Sequence, residues 1–244
     1  MSDTVSLAKC LSYIDAQVIP LPGSEQSHVP RRRLASITLS RQAGSGGRAV
    51  AEMLATRLQQ AEKEPGPPWT IFDRNLVEKV LEDHHLPKRL AEYMPEDRRP
   101  LLDDIVEELL GLHPPSWTLF HQTCQTILNL AALGHTIILG RGANLIAARL
   151  DNTVHIRLVG SLERRIERIC VMRHLTPEEA RKVIEQEDHN RAAYVKKHFG
   201  RDVEDPLSYH LIINTDYVEL SEAAQLIAQL VQNRQEALRA RRQA

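Results

Sequence analysis

Five short apolar segments punctuate this chain, and each is followed by a stretch of helical pattern. They are ASITLS (35–40), PPWTIFD (67–73), HTIILG (135–140), NTVHIRLVG (152–160) and YHLIINT (209–215). Strands separated by helices cannot close as hairpins. The alternation predicts an α/β chain with a parallel sheet of about five strands and helices on both faces. The unbroken apolar run of HTIILG suits a strand buried on both sides. Helical pattern covers about 47–62, 161–198 and 219–242, and most of 74–133 with breaks near Pro95, Pro100 and HPPS at 113–116.

Composition narrows the class. The chain has 244 residues, enough for one core domain with insertions. A net charge of -1 offers no field for a nucleic acid polymer or an anionic membrane. No apolar run approaches a membrane span, and MSDTVSLAKC lacks the pattern of a signal peptide. Cys10, Cys124 and Cys170 are odd in number and far apart, which favours a reducing, cytoplasmic setting. The histidines form no HExxH and no Cys/His cluster of zinc spacing. Residues 3–18 read as a short helix. IPLPGSEQSHVPRRR (19–33) reads as a linker ending in a basic triplet, so 1–34 is an extension ahead of a core at 35–232. The polar end, 233–244, is expected to fray.

The chemistry gathers where strands end. ITLSRQAGSGGRAVAEMLATRL (37–58) runs from strand through Gly44, Ser45, Gly46 and Gly47 into a helix. Glycine lets backbone N–H groups approach an anion, and the helix N-terminus adds its dipole. The same glycines would equally serve a turn needed only for strand-to-helix packing. Asp73 and Arg74 close the second strand, where open α/β sheets bind ligands; Asp73 is also a candidate N-cap. Arg141 sits between two glycines at the tip of the third strand, a costly place for a charge without an anion or an ion pair. Arg181, Asp188 and Arg191, spaced i, i+7 and i+10, share one helical face.

These segments resemble the cytidylate kinase-like family, a branch of the P-loop nucleoside monophosphate kinases. The family's SR-x-x-GSGG-x-x-x-A is met by Ser40, Arg41, Gly44, Ser45, Gly46, Gly47 and Ala51. Its F-x-D-R/K resembles IFDRN (71–75), and its VIVGRGA resembles IILGRGA. The long pattern D-x-x-R-x-x-Y-x-K-x-x-x-G-x-x-x-x-D-P-x-x-Y is met by Asp188, Arg191, Tyr194, Lys196, Gly200, Asp205, Pro206 and Tyr209. The likeness runs from about residue 36 to about 230.

The resemblance implies a three-layer P-loop kinase fold with a helical acceptor-binding insertion at about 74–133 and a helical lid at about 170–200. It implies ATP-dependent, Mg²⁺-assisted transfer of a phosphoryl group to a nucleoside monophosphate, CMP or dCMP foremost. Small-molecule nucleotides would be its partners. Loop residues Gly44, Ser45, Gly46 and Gly47 would hold the donor phosphates. Asp73, Arg74 and Arg141 would position the acceptor, with Asn144 as a further polar contact. Arg191 and Asp188 would act from the lid, with Arg168, Arg173 and Arg181 as lesser candidates.

One departure stands out. Against an ordinary P-loop, Gly47 falls where the lysine belongs and Ala49 where the Mg²⁺-binding hydroxyl belongs. Arg41 or Arg48 is the candidate for the lysine's charge, and Ser45 or Asp73 for the metal ligand. The same departure suits a nucleotide-binding regulatory protein without turnover, and Gly142, in place of the classical Asp, suits a kinase of another small phosphate acceptor.

Overall fold

The computed structural model describes residues 34–62, 66–73, 99–110 and 118–243. Among them are five parallel strands: β1 (Ser36–Arg41), β2 (Thr70–Phe72), β3 (Thr136–Leu139), β4 (Thr153–Val159) and β5 (Leu211–Asn214), in the order β2-β3-β1-β4-β5. The helices are α1 (Gly47–Ala61), α2 (Arg99–Leu110), α3 (Thr118–Leu133), the single turn α4 (Ala143–Ile146), α5 (Leu162–Arg173), α6 (Pro177–Phe199) and α7 (Leu220–Gln243). The fold is the expected three-layer arrangement. The extension at 1–33, most of the segment expected as the acceptor insertion, and Arg74 lie outside the described residues.

Alternation along the strands divides the core in two. Ile37, Leu39, Ile137, Leu139, Ile156 and Leu158 face α1 and α7, whose Val50, Leu54, Ala224 and Ile227 fill the layer. Phe72 and Ile138 face the other way, onto α3 with Cys124, Ile127 and Leu128. The period of two then puts Arg41, at the end of β1, on the α1 side. Polar residues at the strand starts are not stray. Ser36 and Asn152 donate to the carbonyl of Ala131, and Thr136 to that of Leu130, so they satisfy the open carbonyls of the end of α3.

The helical pair beyond β4 is cut by its caps. Ser161 caps α5, and His174 ends it in the left-handed region. Thr176 and Glu179 then form a reciprocal capping box around Pro177, and Gly200 closes α6. The hairpin does not stand away from the loop. Ala43, in the glycine loop, packs with Ile169, Ala180 and Ile184 of the two helices.

Candidate functional site

At the switch of strand order, β1 is flanked by β3 and β4, and the loop after it opens at the carboxyl edge of the sheet. The loop is held from below. Gln42 N–H donates to Leu158 O at 3.0 Å, and Gln42 Oε1 accepts from Gly160 N–H at 3.0 Å. It is also held from the hairpin. Ala43 N–H donates to Asp188 Oδ1 at 2.7 Å. Arg165 donates to Ala43 O at 3.1 Å, to Gly160 O at 3.0 Å and to Asp188 Oδ2 at 2.6 Å. Among the described residues no acceptor meets the amides of Gly44, Gly46, Gly47 and Arg48. These are the donors a phosphate would take at the start of α1.

The glycines also answer to packing. A Cβ on Gly44 would lie 2.6 Å from the carbonyl oxygen of Arg165, and one on Gly46 2.5 Å from Leu220 Cδ2. At Gly47 the neighbour is Arg41, whose Cγ would lie 2.9 Å from an added Cβ. At Gly140, after β3, it is the Arg41 guanidinium. Arg41 therefore runs between residue 47 and the tip of β3 and comes within range of Arg191, Glu187 and Asp73. Burial, and then the like charge of Arg191, pull its pKa down to about 10, against the opposing pull of Glu187 and Asp73. A buried guanidinium facing a second one favours an anion nearby.

Arg48 points elsewhere. It donates to Glu52 at 3.0 Å and to Asp73 Oδ2 at 2.6 Å, and is largely exposed. The hydrogen bond to Glu52, ahead of the pull of Asp73, raises its pKa. Ser45 is wholly buried, and its hydroxyl donates to Gln42 O at 2.8 Å. That hydroxyl, one of the two groups considered for the metal, is turned into the loop. Asp73 is paired with Arg48, and no cluster of three His, Cys, Asp or Glu exists among the described residues. The free amides and Arg41 would suit a polyphosphate, and among the described residues no protein-built Mg²⁺ site is found.

After β3, Gly140, Arg141 and Gly142 all have positive φ, at 77, 57 and 67°. For Arg141 this is uncommon backbone, and its guanidinium lies 5.5 Å from the centre of the Tyr194 ring. A Cβ on Gly142 would strike the Phe199 ring. Phe199 and His198 pack on Phe120 of α3, with ring centres 5.7 and 4.3 Å away. Gly142 thus stands where the classical Asp would because the end of α6 fills that space. Asn144 is 7% exposed, in the first turn of α4.

On the hairpin, Arg191 donates to Asp188 Oδ1 at 2.9 Å and Glu187 Oε2 at 2.6 Å. Arg173 donates to Glu187 Oε1 at 2.8 Å. Arg168 turns away to Thr215, and Arg181 is exposed on α6. Asp205 caps the short 3-10 turn Pro206–Ser208, and the Tyr209 hydroxyl donates to Val203 O at 2.8 Å, so the D-P-x-x-Y part of the pattern shapes the return to β5. Sequence reasoning passed over Arg165 and Glu187. Arg165 had a signal: it lies four residues before Ile169, on the apolar stripe of its helix.

Among curated proteins no sequence matches the chain. A crystal structure of an uncharacterized protein from Eubacterium ventriosum shares the fold, with a TM-score of 0.64 at 17% identity over 82% of this chain and 99% of that one. Shikimate kinase from Bacteroides thetaiotaomicron is a more distant likeness, with a TM-score of 0.45 at 13% identity over 81% and 98%. A gluconokinase from Sinorhizobium meliloti follows, at 0.36 and 16% over 83% and 97%. The cytidylate kinase-like family matches residues 36–217, from the first strand through the α5–α6 hairpin to the turn after β5. With three quarters of its length matched in this way, the chain belongs to the cytidylate kinase-like family.

Proposed function

We propose that the protein transfers the terminal phosphoryl group of ATP to a nucleoside monophosphate, with CMP or dCMP the preferred acceptor. The observation that carries this reading is the course of Arg41. Its stem lies against Gly47 and its guanidinium against Gly140, beside loop amides that meet no acceptor among the described residues, and within range of Arg191. The side chain enters from the residue-47 side, where an ordinary P-loop extends its lysine. Donor phosphates would lie on the amides of Gly44, Gly46, Gly47 and Arg48, with Arg41 supplying positive charge. Phosphoryl transfer asks mainly for positioning and neutralisation of charge on the moving group. Arg41 and Arg191, near enough to feel each other's charge, would supply the latter. Arg141, fixed by its backbone and by Tyr194, would position the acceptor.

ATP and Mg²⁺ are the co-substrate and ion that family membership suggests. When bound, Mg²⁺ would screen phosphate charge, held by phosphate oxygens and water rather than by Ser45. The inward Ser45 favours a second reading, a nucleotide-binding regulator without turnover. The deciding experiment incubates the full chain with ATP, Mg²⁺ and each nucleoside monophosphate in turn and follows ADP. ADP release with CMP or dCMP is expected. ATP binding with no ADP from any acceptor would replace the enzyme reading by the regulator.

A further inference from the structure

One carboxylate of the hairpin binds two arginines, one from each helix, and one of them, Arg191, lies within range of Arg41. Glu187 accepts from Arg173 through Oε1 at 2.8 Å and from Arg191 through Oε2 at 2.6 Å. Arg173 ends α5 and Glu187 lies mid-way along α6, so the carboxylate bridges the two helices. It is also close enough to Arg41 to be felt by that charge. Burial pushes the Glu187 carboxyl up, but Arg173 and Arg191 outweigh it and hold the group below its usual range. Its neighbour Asp188 is differently placed. Asp188 is fastened to the Ala43 amide and to Arg165, and so belongs to the loop's scaffold. Glu187 has no such tie to the loop. Its two oxygens meet two guanidiniums as two oxygens of a phosphoryl group would.

We propose that Glu187 is an internal stand-in for phosphate: it holds Arg191, and with it Arg173, beside Arg41 and gives them up to an arriving tetrahedral oxyanion. The inference rests on the phosphate-site reading above. A phosphoryl group carries more charge than a carboxylate and adds a third oxygen, so it competes for the same donors on better terms. Arg191 would keep Asp188 and exchange only its Glu187 partner. An ordinary structural ion pair predicts the opposite sign, because removing one member would loosen the arginines and weaken anion binding.

The test is Glu187→Gln, which keeps shape and removes charge. Full-length wild type and variant are titrated calorimetrically with ATP, inorganic pyrophosphate and inorganic phosphate at one ionic strength, after circular dichroism confirms the fold. ATP and pyrophosphate are expected to bind the variant about two- to fivefold tighter, the scale of one partly screened charge pair. A gain for inorganic phosphate alone would mean a simple ion site unrelated to nucleotide and would overturn the proposal. Unchanged or weaker binding of ATP and pyrophosphate would overturn it too. Glu187→Asp, which keeps the charge, should show no gain; a gain there would also overturn it. If the glutamine variant does not fold, Glu187→Ala is read by the same criteria. Wild type and variant both inert toward ATP and pyrophosphate would remove the phosphate-site reading itself. Wild-type binding without a gain in the variant removes only the stand-in.

Discussion

Arg41 and Gly47 exclude any larger arrangement of each other: a Cβ at residue 47 would sit 2.9 Å from Arg41 Cγ. The missing lysine and the arginine six residues earlier are therefore one feature. A lysine at 47 would have to displace Arg41, and Arg41 needs 47 bare.

This relation predicts a non-additive pair. Arg41→Ala is expected to weaken ATP binding about 10- to 100-fold, the loss of a charge-assisted contact in a half-buried site. Gly47→Lys alone should also weaken it, because both cations compete for one space. The double variant should bind better than Arg41→Ala. Titration calorimetry on the four proteins of the cycle checks it; strict additivity would mean that the two positions do not share a role.

Asp188 joins the loop to the hairpin through the Ala43 amide, Arg165 and Arg191. Asp188→Asn keeps an acceptor for the amide and loses both ionic partners. Urea unfolding should show a loss of about 1–3 kcal/mol, typical of a partly buried charged hydrogen bond. Hydrogen exchange at the Ala43 amide should accelerate. Arg165→Gln should act similarly, and the two together should be less than additive.

Restoring the classical acidic residue at Gly142 should fail. Its φ of 67° and the Phe199 ring leave no room for a side chain. Gly142→Asp is expected to cost about 1–3 kcal/mol of stability through strain and overpacking. Denaturant unfolding measures it, and Phe199→Ala should relieve the steric part but not the backbone part.

The His155–His210 pair predicts a stability slope in mild acid. The rings stack at 4.9 Å, and His155 N–H donates to His210 Nδ1 at 2.9 Å. Burial, then the neighbouring His210 and Arg234, lower the pKa of His155 to about 3; burial and Arg234 also lower that of His210. The unfolded chain thus takes up protons near pH 6.5 that the folded chain refuses. Stability should be full above that pH and fall as pH drops toward about 3, by up to about 1.4 kcal/mol per pH unit for the buried His155, with a smaller, solvent-screened contribution of the same sign from His210. Unfolding measured between pH 7 and 5, above the carboxylate range, should show the slope, and His155→Asn should flatten it.

Much of the architecture was legible because it follows from short-range rules. The apolar runs at 37–39, 137–139 and 154–158 mark buried strands, and the charged helical pattern at 161–198 marks the hairpin, whose caps at Ser161 and Thr176 the structure supplies. The hairpin's docking was not legible. The hairpin packs on the loop through Ala43, Ile169 and Ile184, residues more than a hundred positions apart in part. Ser45 was offered as a metal ligand from its neighbourhood in sequence, but the turn aims its hydroxyl at Gln42. A side chain's direction inside a glycine loop depends on backbone angles that residue types leave open.

By itself the sequence determined the layered parallel sheet, the place of the phosphate loop after β1 and the identity of the charged groups around it. Hydrophobic period and capping chemistry act within a few residues, so they can be read along the chain. Tertiary structure alone decided which charges meet. It turned Arg41 over Gly47, gave Arg48 to Asp73, fastened Asp188 to the Ala43 amide and set Glu187 between Arg173 and Arg191. The reason is that a guanidinium on a flexible stem has many carboxylates within reach, and packing of the helices that carry them selects the partner.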